Sequence, residues 1–285
     1  MSFTFAPTQR GRLKKEEYHM KNDRNKQGSR EPMSPLPFPI IRYETIDSTN
    51  TEARRYAAAG GQAPAALVAE RQTAGRGRMG RSFYSPGGTG IYLSLLLPVT
   101  EKGENSVLLT SGAAVAVARA IEEVTAVHCR IKWVNDLYLE GRKVCGILAE
   151  SFLLEGRPYV ILGVGVNLCT KRFPKELRSV AGSLLRRGHE KKDQLTIRIA
   201  EELYKLLFQG SPDDWMEEYV ERSLVLGQEV TYWINGEERK GKAVAVNNDG
   251  SLQIQWPNGG GERLSSGEIS LRLVKTNFEE KKRHE

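Results

Sequence analysis

The sequence is poor in the two residue types from which disulfide frameworks and zinc sites are built. Its 285 residues include three cysteines and four histidines, and neither type shows the spacing of a metal site. An odd number of cysteines without a Cys-x-x-Cys pair argues against a disulfide framework and against structural zinc. Cys129, Cys145 and Cys169 each lie among apolar residues, so we expect three small buried side chains.

Long apolar runs are also absent. No segment approaches the roughly 20 apolar residues of a membrane-spanning helix. The N-terminus lacks the continuous apolar stretch of a secretory signal. These absences predict a protein without a membrane partner, and the expected location is the cytoplasm.

The net charge of +7 makes nucleic-acid binding worth testing against the distribution of charge along the chain. Residues 1–41 contain eight basic and four acidic residues, and residues 275–285 contain four basic and three acidic ones. The rest of the chain therefore carries only +2 of the total of +7. A nucleic-acid-binding surface needs clustered positive charge on the folded part, so this distribution disfavours such a function.

Composition and periodicity divide the chain into four segments. Residues 1–40 are charged and end in a proline-rich run, which predicts a flexible basic extension without a helix-turn-helix. Residues 41–224 mix strand-like and helix-like periods. Residues 225–274 form short alternating runs separated by turns, typical of a small β-barrel, and residues 275–285 are a charged tail. The expected fold class is α+β, with helices near 51–59, 106–124, 195–209 and 213–223.

One loop combines closely spaced glycines with arginines. The segment AERQTAGRGRMGR, residues 69–81, contains Gly75, Gly77 and Gly80 in the spacing of a dinucleotide-binding turn. That turn requires a helix directly after the third glycine, whereas the proline and glycines at 86–90 exclude a helix here. Glycines permit close backbone approach and guanidiniums offer paired donors to carboxylate or phosphate. The loop therefore suits another anion, with a solvated basic turn as the alternative.

This loop resembles a signature of biotin–protein ligases, and four further segments are similar to motifs of that family in the same order. They are DSTNTEA (47–53), IKWVNDLYLEGRKVCGILAE (131–150), GVGVNL (163–168) and GEISLR (267–272). The resemblance covers about residues 41–274 and implies a mixed sheet flanked by helices, followed by an SH3-like barrel. It implies an enzyme that uses biotin, ATP and Mg²⁺ to form biotinyl-5′-AMP. The acceptor would be a lysine of a biotin carboxyl carrier domain of acetyl-CoA carboxylase or a related carboxylase.

The resemblance assigns the ureido head of biotin to a polar cluster. Its members are Ser48, Thr49, Asn50 and Gln72. Hydroxyl and amide groups can serve both the N–H and the C=O of a urea. Without the resemblance, Ser48 or Thr49 would be a helix cap. The two roles are compatible, because a cap at a strand–helix turn also faces a cleft.

The resemblance assigns the carboxylate of biotin and the α-phosphate of ATP to basic groups. Arg78 and Lys143 would act at the carboxylate–phosphate junction, while Arg76 and the Gly77 backbone would close a lid. Gly146 would let the ligand approach the strand. A lysine beside a hairpin turn, such as Lys143, can equally point away from the sheet.

The nucleotide is assigned to Arg81, Asn167 and Arg272 in addition to Arg78 and Lys143. Asp136 is the third catalytic candidate, because it could assist Mg²⁺–ATP or the incoming lysine. No fixed metal site is expected. An Asx turn of Asp136 with Asn135 is the structural alternative.

Three departures from the family pattern affect these expectations. Val134 replaces the usual proline, and Phe83 replaces a tryptophan. Many relatives carry an N-terminal DNA-binding domain, for which residues 1–40 are too short and too rich in proline. A lipoyl or octanoyl transferase of the same fold and a biotin-responsive DNA-binding repressor stay open as alternatives. A homodimer is compatible with the sequence.

Overall fold

A seven-stranded mixed sheet forms the centre of the larger part of the protein. The computed structural model describes residues 36–99, 106–234, 236–265 and 269–270. The strands are β1 (Ile40–Ile46), β2 (Ala65–Gln72), β3 (Ile91–Pro98), β4 (Arg130–Lys132), β5 (Asp136–Leu139), β6 (Arg142–Leu154) and β7 (Arg157–Val166). Their order in the sheet is β1-β2-β3-β7-β6-β5-β4. β1 and β2 are parallel, and the other neighbours are antiparallel.

Helices cover both faces of this sheet. They are α1 (Thr49–Ala58), α2 (Ser106–Thr125), α3 (Lys192–Tyr204) and α4 (Met216–Glu221). Because side chains alternate between the faces of a strand, Leu67, Leu96 and Ile161 pack with Ala53 and Ala57 of α1. Val68, Leu95 and Leu162 belong to the larger core that α2 and α3 cover on the other face. α1 leaves part of its own face uncovered, and the site described below lies there.

A smaller antiparallel sheet follows the helices. Its strands are β8 (Glu229–Ile234), β9 (Glu237–Val246), β10 (Leu252–Gln255), β11 (Gly261–Leu264) and β12 (Ile269–Ser270), in the order β11-β10-β9-β8-β12. The indole Nε1 of Trp133 donates to the Gly250 carbonyl at 2.9 Å. Gly250 also lies against α2, with Val107 and Ser111 as its nearest neighbours. The small sheet is therefore docked on the larger part beside the turn between β4 and β5, in which the Trp133–Val134 peptide bond is cis.

The fold class expected from the sequence is confirmed. The hairpin turn at Glu140 and Gly141 adopts positive φ at both residues, as a two-residue turn of this kind requires. The third and fourth helices are shorter than predicted, because a π-helical turn at 205–209 and a single 3₁₀ turn at 212–214 break the pattern. Arg272, the tail and most of the N-terminal extension lie outside the described residues. Within those residues, no helix is long and apolar enough to cross a membrane.

Candidate functional site

A cavity of about 380 Å³ opens on the face of β6 and β7 that α1 leaves uncovered. The Arg/Gly loop borders it, as do the start of α1, the β4–β5 turn and the segment that follows β7. The site residues expected from the sequence meet here, apart from Arg272. They are Ser48, Thr49, Asn50, Gln72, Arg76, Gly77, Arg78, Arg81, Asp136, Lys143, Gly146 and Asn167.

Glycines form the floor of the cavity. Gly146 of β6 pairs with Gly165 of β7. Gly163 precedes Gly165 by two residues and lies on the same face of the sheet. A Cβ atom on Gly163 would stand 2.1 Å from Asn50 Oδ1, and one on Gly165 would stand 2.5 Å from the Phe83 ring. Any side chain at these positions would collide with the walls. The glycines therefore let Asn50 and the Phe83 ring pack directly on the strand backbone, and a flat ligand in the cavity would lie beside that ring.

Hydroxyl and amide groups form one end of the cavity. The Oε1 of Gln72 accepts from the Thr49 backbone N–H at 2.8 Å and lies 3.1 Å from its hydroxyl. The Nε2 of Gln72 donates to Ser85 Oγ at 2.8 Å. The Ser94 hydroxyl lies 2.7 Å from Thr49 Oγ1 and 2.6 Å from Asn50 Oδ1. These bonds hold both hydrogen-bond donors and hydrogen-bond acceptors in place. Recognition of a urea requires both, because a urea has N–H groups and a C=O group.

Ser48 occupies the N-cap position of α1, as predicted. Its backbone is extended, but its side chain makes no capping hydrogen bond with the described residues. Asp47 accepts from the Ser48 backbone N–H at 2.8 Å. Ser48 is only 2% exposed and lines the cavity. The helix therefore does not depend on the Ser48 hydroxyl, which faces the site instead.

The Arg/Gly loop folds back on itself over the cavity. The Gly77 N–H donates to the Arg81 carbonyl at 2.7 Å, and the Phe83 N–H donates to the Gly75 carbonyl at 2.8 Å. Met79 stands at the tip with a positive φ of 54° and is 71% exposed. No helix follows Gly80, since the chain runs on to β3. The dinucleotide-binding geometry is therefore absent from this described segment, as the sequence indicated.

Arg78 and Lys143 reach the other end of the cavity from two different supports. Arg78 extends from the loop and donates to Asn135 Oδ1 at 3.1 Å. Its burial lowers the pKa of the guanidinium, although the nearby Asp136 opposes that shift. Lys143 lies on β6, and its Nζ is 2.7 Å from Asp136 Oδ1. The structure thus brings two cations and one carboxylate to the same place.

The surroundings of Lys143 and Asp136 decide between the alternatives drawn from the sequence. Lys143 does not point away from the sheet; it lines the cavity with its side chain 32% exposed. Asp136 begins β5, and its Oδ1 accepts no hydrogen bond of good geometry from the described residues. Its charge is balanced by Lys143 at ion-pair distance rather than by an Asx turn. A buried carboxylate oxygen with spare acceptor capacity suits a cation or an amine.

Several cavity residues were not singled out from the sequence. Lys132 lies beside Asp136 in the lining, and burial lowers its pKa while Asp136 opposes the shift. Its Nζ stands 5.6 Å from the centre of the Tyr138 ring. Ser85 and Ser94 support the amide end through their hydrogen bonds with Gln72 and Asn50, and neither lies in a recognisable motif. Lys132 does belong to the segment 131–150 that resembles a family motif, and it precedes Asp136 by four residues. That proximity in the sequence was the signal that could have identified it.

An apolar rim borders the mouth of the cavity beyond Lys143. It consists of Tyr84, Phe173, Leu177 and Val180. The rings of Tyr84 and Phe173 lie 6.2 Å apart. The segment carrying Phe173, Leu177 and Val180 is held against β6, since the Lys143 N–H donates to the Val180 carbonyl at 2.9 Å. This rim offers a surface for a second flat group next to the cationic end.

Two family models match the chain. The biotin/lipoate A/B protein ligase family matches residues 43–167, which include nearly all of the cavity motifs. The biotin protein ligase C-terminal domain matches residues 225–272, the small sheet. The first match therefore covers most of the larger sheet, and the second covers the smaller one.

Relatives of known function and structure agree with these models. The chain is 32% identical over 243 residues to the bifunctional ligase/repressor BirA of Bacillus subtilis, covering 81% of this chain and 74% of that protein. It is 33% identical to the biotin–[acetyl-CoA-carboxylase] ligase of Mycobacterium tuberculosis, covering 72% and 79% respectively. A biotin protein ligase from Aquifex aeolicus, solved with biotin and ATP, superposes with a TM-score of 0.69 at 30% identity. That match covers 82% of this chain and 98% of the solved chain.

Proposed function

Since the chain belongs to the family of biotin protein ligases, we propose that it activates biotin with ATP and transfers it to one lysine of a biotin carboxyl carrier domain. The observation that carries this assignment is the polarity of one cavity. Amides and hydroxyls gather at one end, a glycine floor lies in the middle, and Arg78 and Lys143 stand at the other end. Biotin has the same order of groups: a urea, an apolar bicycle with its chain, and a carboxylate.

In the first step, an oxygen of the biotin carboxylate attacks the α-phosphorus of ATP. The bond from that phosphorus to the bridging oxygen of the β-phosphate breaks, and pyrophosphate leaves, which produces biotinyl-5′-AMP. Two anions must approach each other, so catalysis rests on positioning and on stabilising negative charge. Arg78 and Lys143 would supply positive charge at this junction, and Asn167 and Arg81, which also line the cavity, would contact the nucleotide.

Arg76 and the Gly77 backbone belong, in this proposal, to the loop that closes over biotin and the adenylate. The proposal is supported by the lining, which includes Arg76 and Gly77, and by the hydrogen bonds that fold the loop back on itself. The apolar rim with Phe173 would receive the adenine. Arg272 lies outside the described residues, and its assignment to the nucleotide is a proposal from the sequence alone.

Mg²⁺ would accompany ATP, and Asp136 is the carboxylate among the described residues that line the cavity. Among the described residues, no group of three or more His, Cys, Asp or Glu could hold a metal, so the phosphates would supply most of the ligands. Asp136 would contribute carboxylate oxygen, the ligand type that Mg²⁺ prefers, from a side chain whose Oδ1 also pairs with Lys143 at 2.7 Å. The ion would neutralise part of the phosphate charge.

In the second step, the ε-amine of the acceptor lysine attacks the acyl carbon of the mixed anhydride. The bond from the acyl carbon to the phosphate oxygen breaks, AMP leaves, and the amine loses a proton. Asp136 would accept a hydrogen bond from that amine. The acceptor would be a carrier domain of acetyl-CoA carboxylase or a related carboxylase, which agrees with the name of the Mycobacterium tuberculosis relative.

The wider proposal follows the same reasoning. Residues 41–224 would carry biotin activation, and residues 225–274 would support the nucleotide end. The protein would act in the cytoplasm and would be able to form a homodimer. A lipoyl or octanoyl transferase is disfavoured, because the small sheet matches the C-terminal domain of biotin protein ligases.

Mass spectrometry of a carrier domain mixed with the protein, biotin and Mg²⁺–ATP tests the proposal. One biotinyl group should appear on one lysine, and pyrophosphate should be released. Lipoate or octanoate in place of biotin should give no modification. A carrier that gains lipoyl groups faster than biotin, or none of either, would overturn the assignment.

A further inference from the structure

Glu150 lies on β6 at the boundary between the glycine floor and the core under α1. Since alternate residues of a strand share a face, Glu150 continues the row formed by Gly146 and Leu148. Its neighbour on β7 is Ile161, which packs in the apolar cluster with Ala53 and Ala57. The Glu150 side chain is 16% exposed. A carboxylate at such a position is costly unless its oxygens are bonded.

Each oxygen of Glu150 bonds a different wall of the cavity. Oε2 accepts from the Asn50 amide at 2.9 Å, and Asn50 belongs to the polar end described above. Oε1 accepts from the Arg76 guanidinium at 2.8 Å. Asn50 is held from its other side by Ser94. One carboxylate therefore joins the fixed start of α1 to the loop that covers the cavity.

We infer that Glu150 is a positioning residue that holds the Arg76 loop closed over bound biotin and its adenylate. The inference rests on the proposed function for the nature of the ligand, but the contact itself exists in the protein alone. Arg76 is 47% exposed, so the bond to Glu150 is a half-exposed ion pair that can open and close. Arg78 and Lys143, which would face the carboxylate–phosphate junction, are held by other partners: Arg78 donates to Asn135 and Lys143 pairs with Asp136. Loss of Glu150 should therefore loosen the loop without removing the cations of the first step.

Trypsin tests the loop directly, because it cleaves after arginine and the loop contains Arg78 and Arg81. In the Glu150→Gln variant, the amide oxygen can still accept from Asn50, but the charge that holds Arg76 is lost. Cleavage after Arg78 and Arg81, followed by mass spectrometry, should become about fivefold faster, the upper range for a partly exposed ion pair. Cleavage at the wild-type rate would overturn the inference.

A double-mutant cycle shows whether Glu150 acts through Arg76. Arg76→Gln should accelerate the same cleavages about as much as Glu150→Gln, and the double variant should be no faster than either. Additive effects would overturn the inference. The matched control is Glu123→Gln, which removes a carboxylate from the ion pair of Glu123 with Arg198 at 2.7 Å, away from the cavity. It should leave loop cleavage unchanged; acceleration there would show that the assay reports general loosening and would also overturn the inference.

The half-life of enzyme-bound biotinyl-5′-AMP tests the consequence for the reaction. Glu150→Gln should shorten it about fivefold while the rate of pyrophosphate release in the first turnover stays near that of the wild type. A loss confined to the first-turnover rate would contradict a positioning role. If the wild-type protein forms no adenylate, the proposed function fails, and the tryptic cycle still decides the role of Glu150.

Discussion

Lys143 and Arg78 approach the same end of the cavity from different kinds of backbone. Lys143 is on strand β6, and its own backbone N–H donates to the Val180 carbonyl. Arg78 is on a glycine-containing loop with an exposed tip. Removing a fixed cation and removing one that moves with a covering loop should therefore have different effects on the reaction.

Lys143→Ala should slow adenylate formation about 10²- to 10³-fold, the usual cost of losing a preorganised donor to a transition-state oxyanion. Biotin affinity should fall only by the lost carboxylate contact. Arg78→Ala should in addition loosen the loop, so that the mixed anhydride escapes and acylates lysines of bystander proteins. Each variant incubated with biotin, ATP and serum albumin, then blotted for biotin, gives the comparison. Equal albumin labelling by the two variants would contradict the assigned roles.

Gly163 contributes by having no side chain. Gly163→Ala would place a Cβ 2.1 Å from Asn50 Oδ1, so Asn50 would have to leave its bonds to Ser94 and Glu150. Loss of these hydrogen bonds should weaken biotin binding about tenfold or more, measured by isothermal titration calorimetry. Gly87→Ala is the control, because its Cβ would meet only Arg71 Cβ at 3.8 Å. Unchanged biotin affinity in the Gly163 variant would show that the floor near Asn50 is not part of the biotin site.

At the start of α1, the structure distinguishes between two roles of Ser48 that the sequence could not distinguish. Ser48 was expected as a helix cap and as a ligand of biotin, and it occupies the N-cap position without a capping bond from its side chain to the described residues. The stability of α1 therefore comes from packing of Ala53 and Ala57 against the sheet.

Ser48→Ala should accordingly change the free energy of unfolding by less than about 0.5 kcal/mol, whereas removal of a bonded cap usually costs ~1 kcal/mol. Urea titration measures this, and calorimetry with biotin should show weaker binding. A stability loss above ~1 kcal/mol with unchanged biotin affinity would restore the simple capping role.

At the same scale, some elements were predictable and some contacts were not. Hydrophobic periods and the turn at Glu140 and Gly141 predicted the hairpin that carries Lys143, since those signals are local. The bond between Asn50 and Glu150 spans 100 residues and depends on the register of β6 against β7. No local pattern records that register, so Glu150 could not be found in advance. Phe83, which stands where the family pattern has a tryptophan, lies beside Gly146 and Gly165.

At the scale of the whole molecule, the two sheets meet through the same turn that contributes to the site. Trp133 bonds the Gly250 carbonyl of the small sheet, and two residues later Asn135 accepts from Arg78. Tyr219 of α4 lies 3.3 Å from the Val134 carbonyl within the same turn. The turn is thus held on both sides of the residues that face the cavity. This arrangement gives the small sheet a structural connection to the cationic end of the cavity, where we propose that the nucleotide binds.

The distribution of charge over the whole chain gives the last prediction, which concerns DNA. Residues 1–32 hold the eight basic and four acidic residues of the N-terminal extension, and so carry +4 of the net charge of +7. Binding through such a segment depends on counterion release and is lost steeply as salt rises. The full chain should therefore show only weak, sequence-independent binding to duplex DNA.

A variant that starts at Met33 is the matched control for that binding. It should lose most of the binding at ~50 mM salt and keep its ligation rate, because Leu36 and Phe38, which pack against the core, remain in place. Mobility shifts and footprinting of both proteins at ~50 and ~200 mM salt measure the difference. A footprint on one sequence that persists at the higher salt would contradict the prediction and favour a repressor. A large fall in the ligation rate of the shorter chain would instead place the extension in the active site.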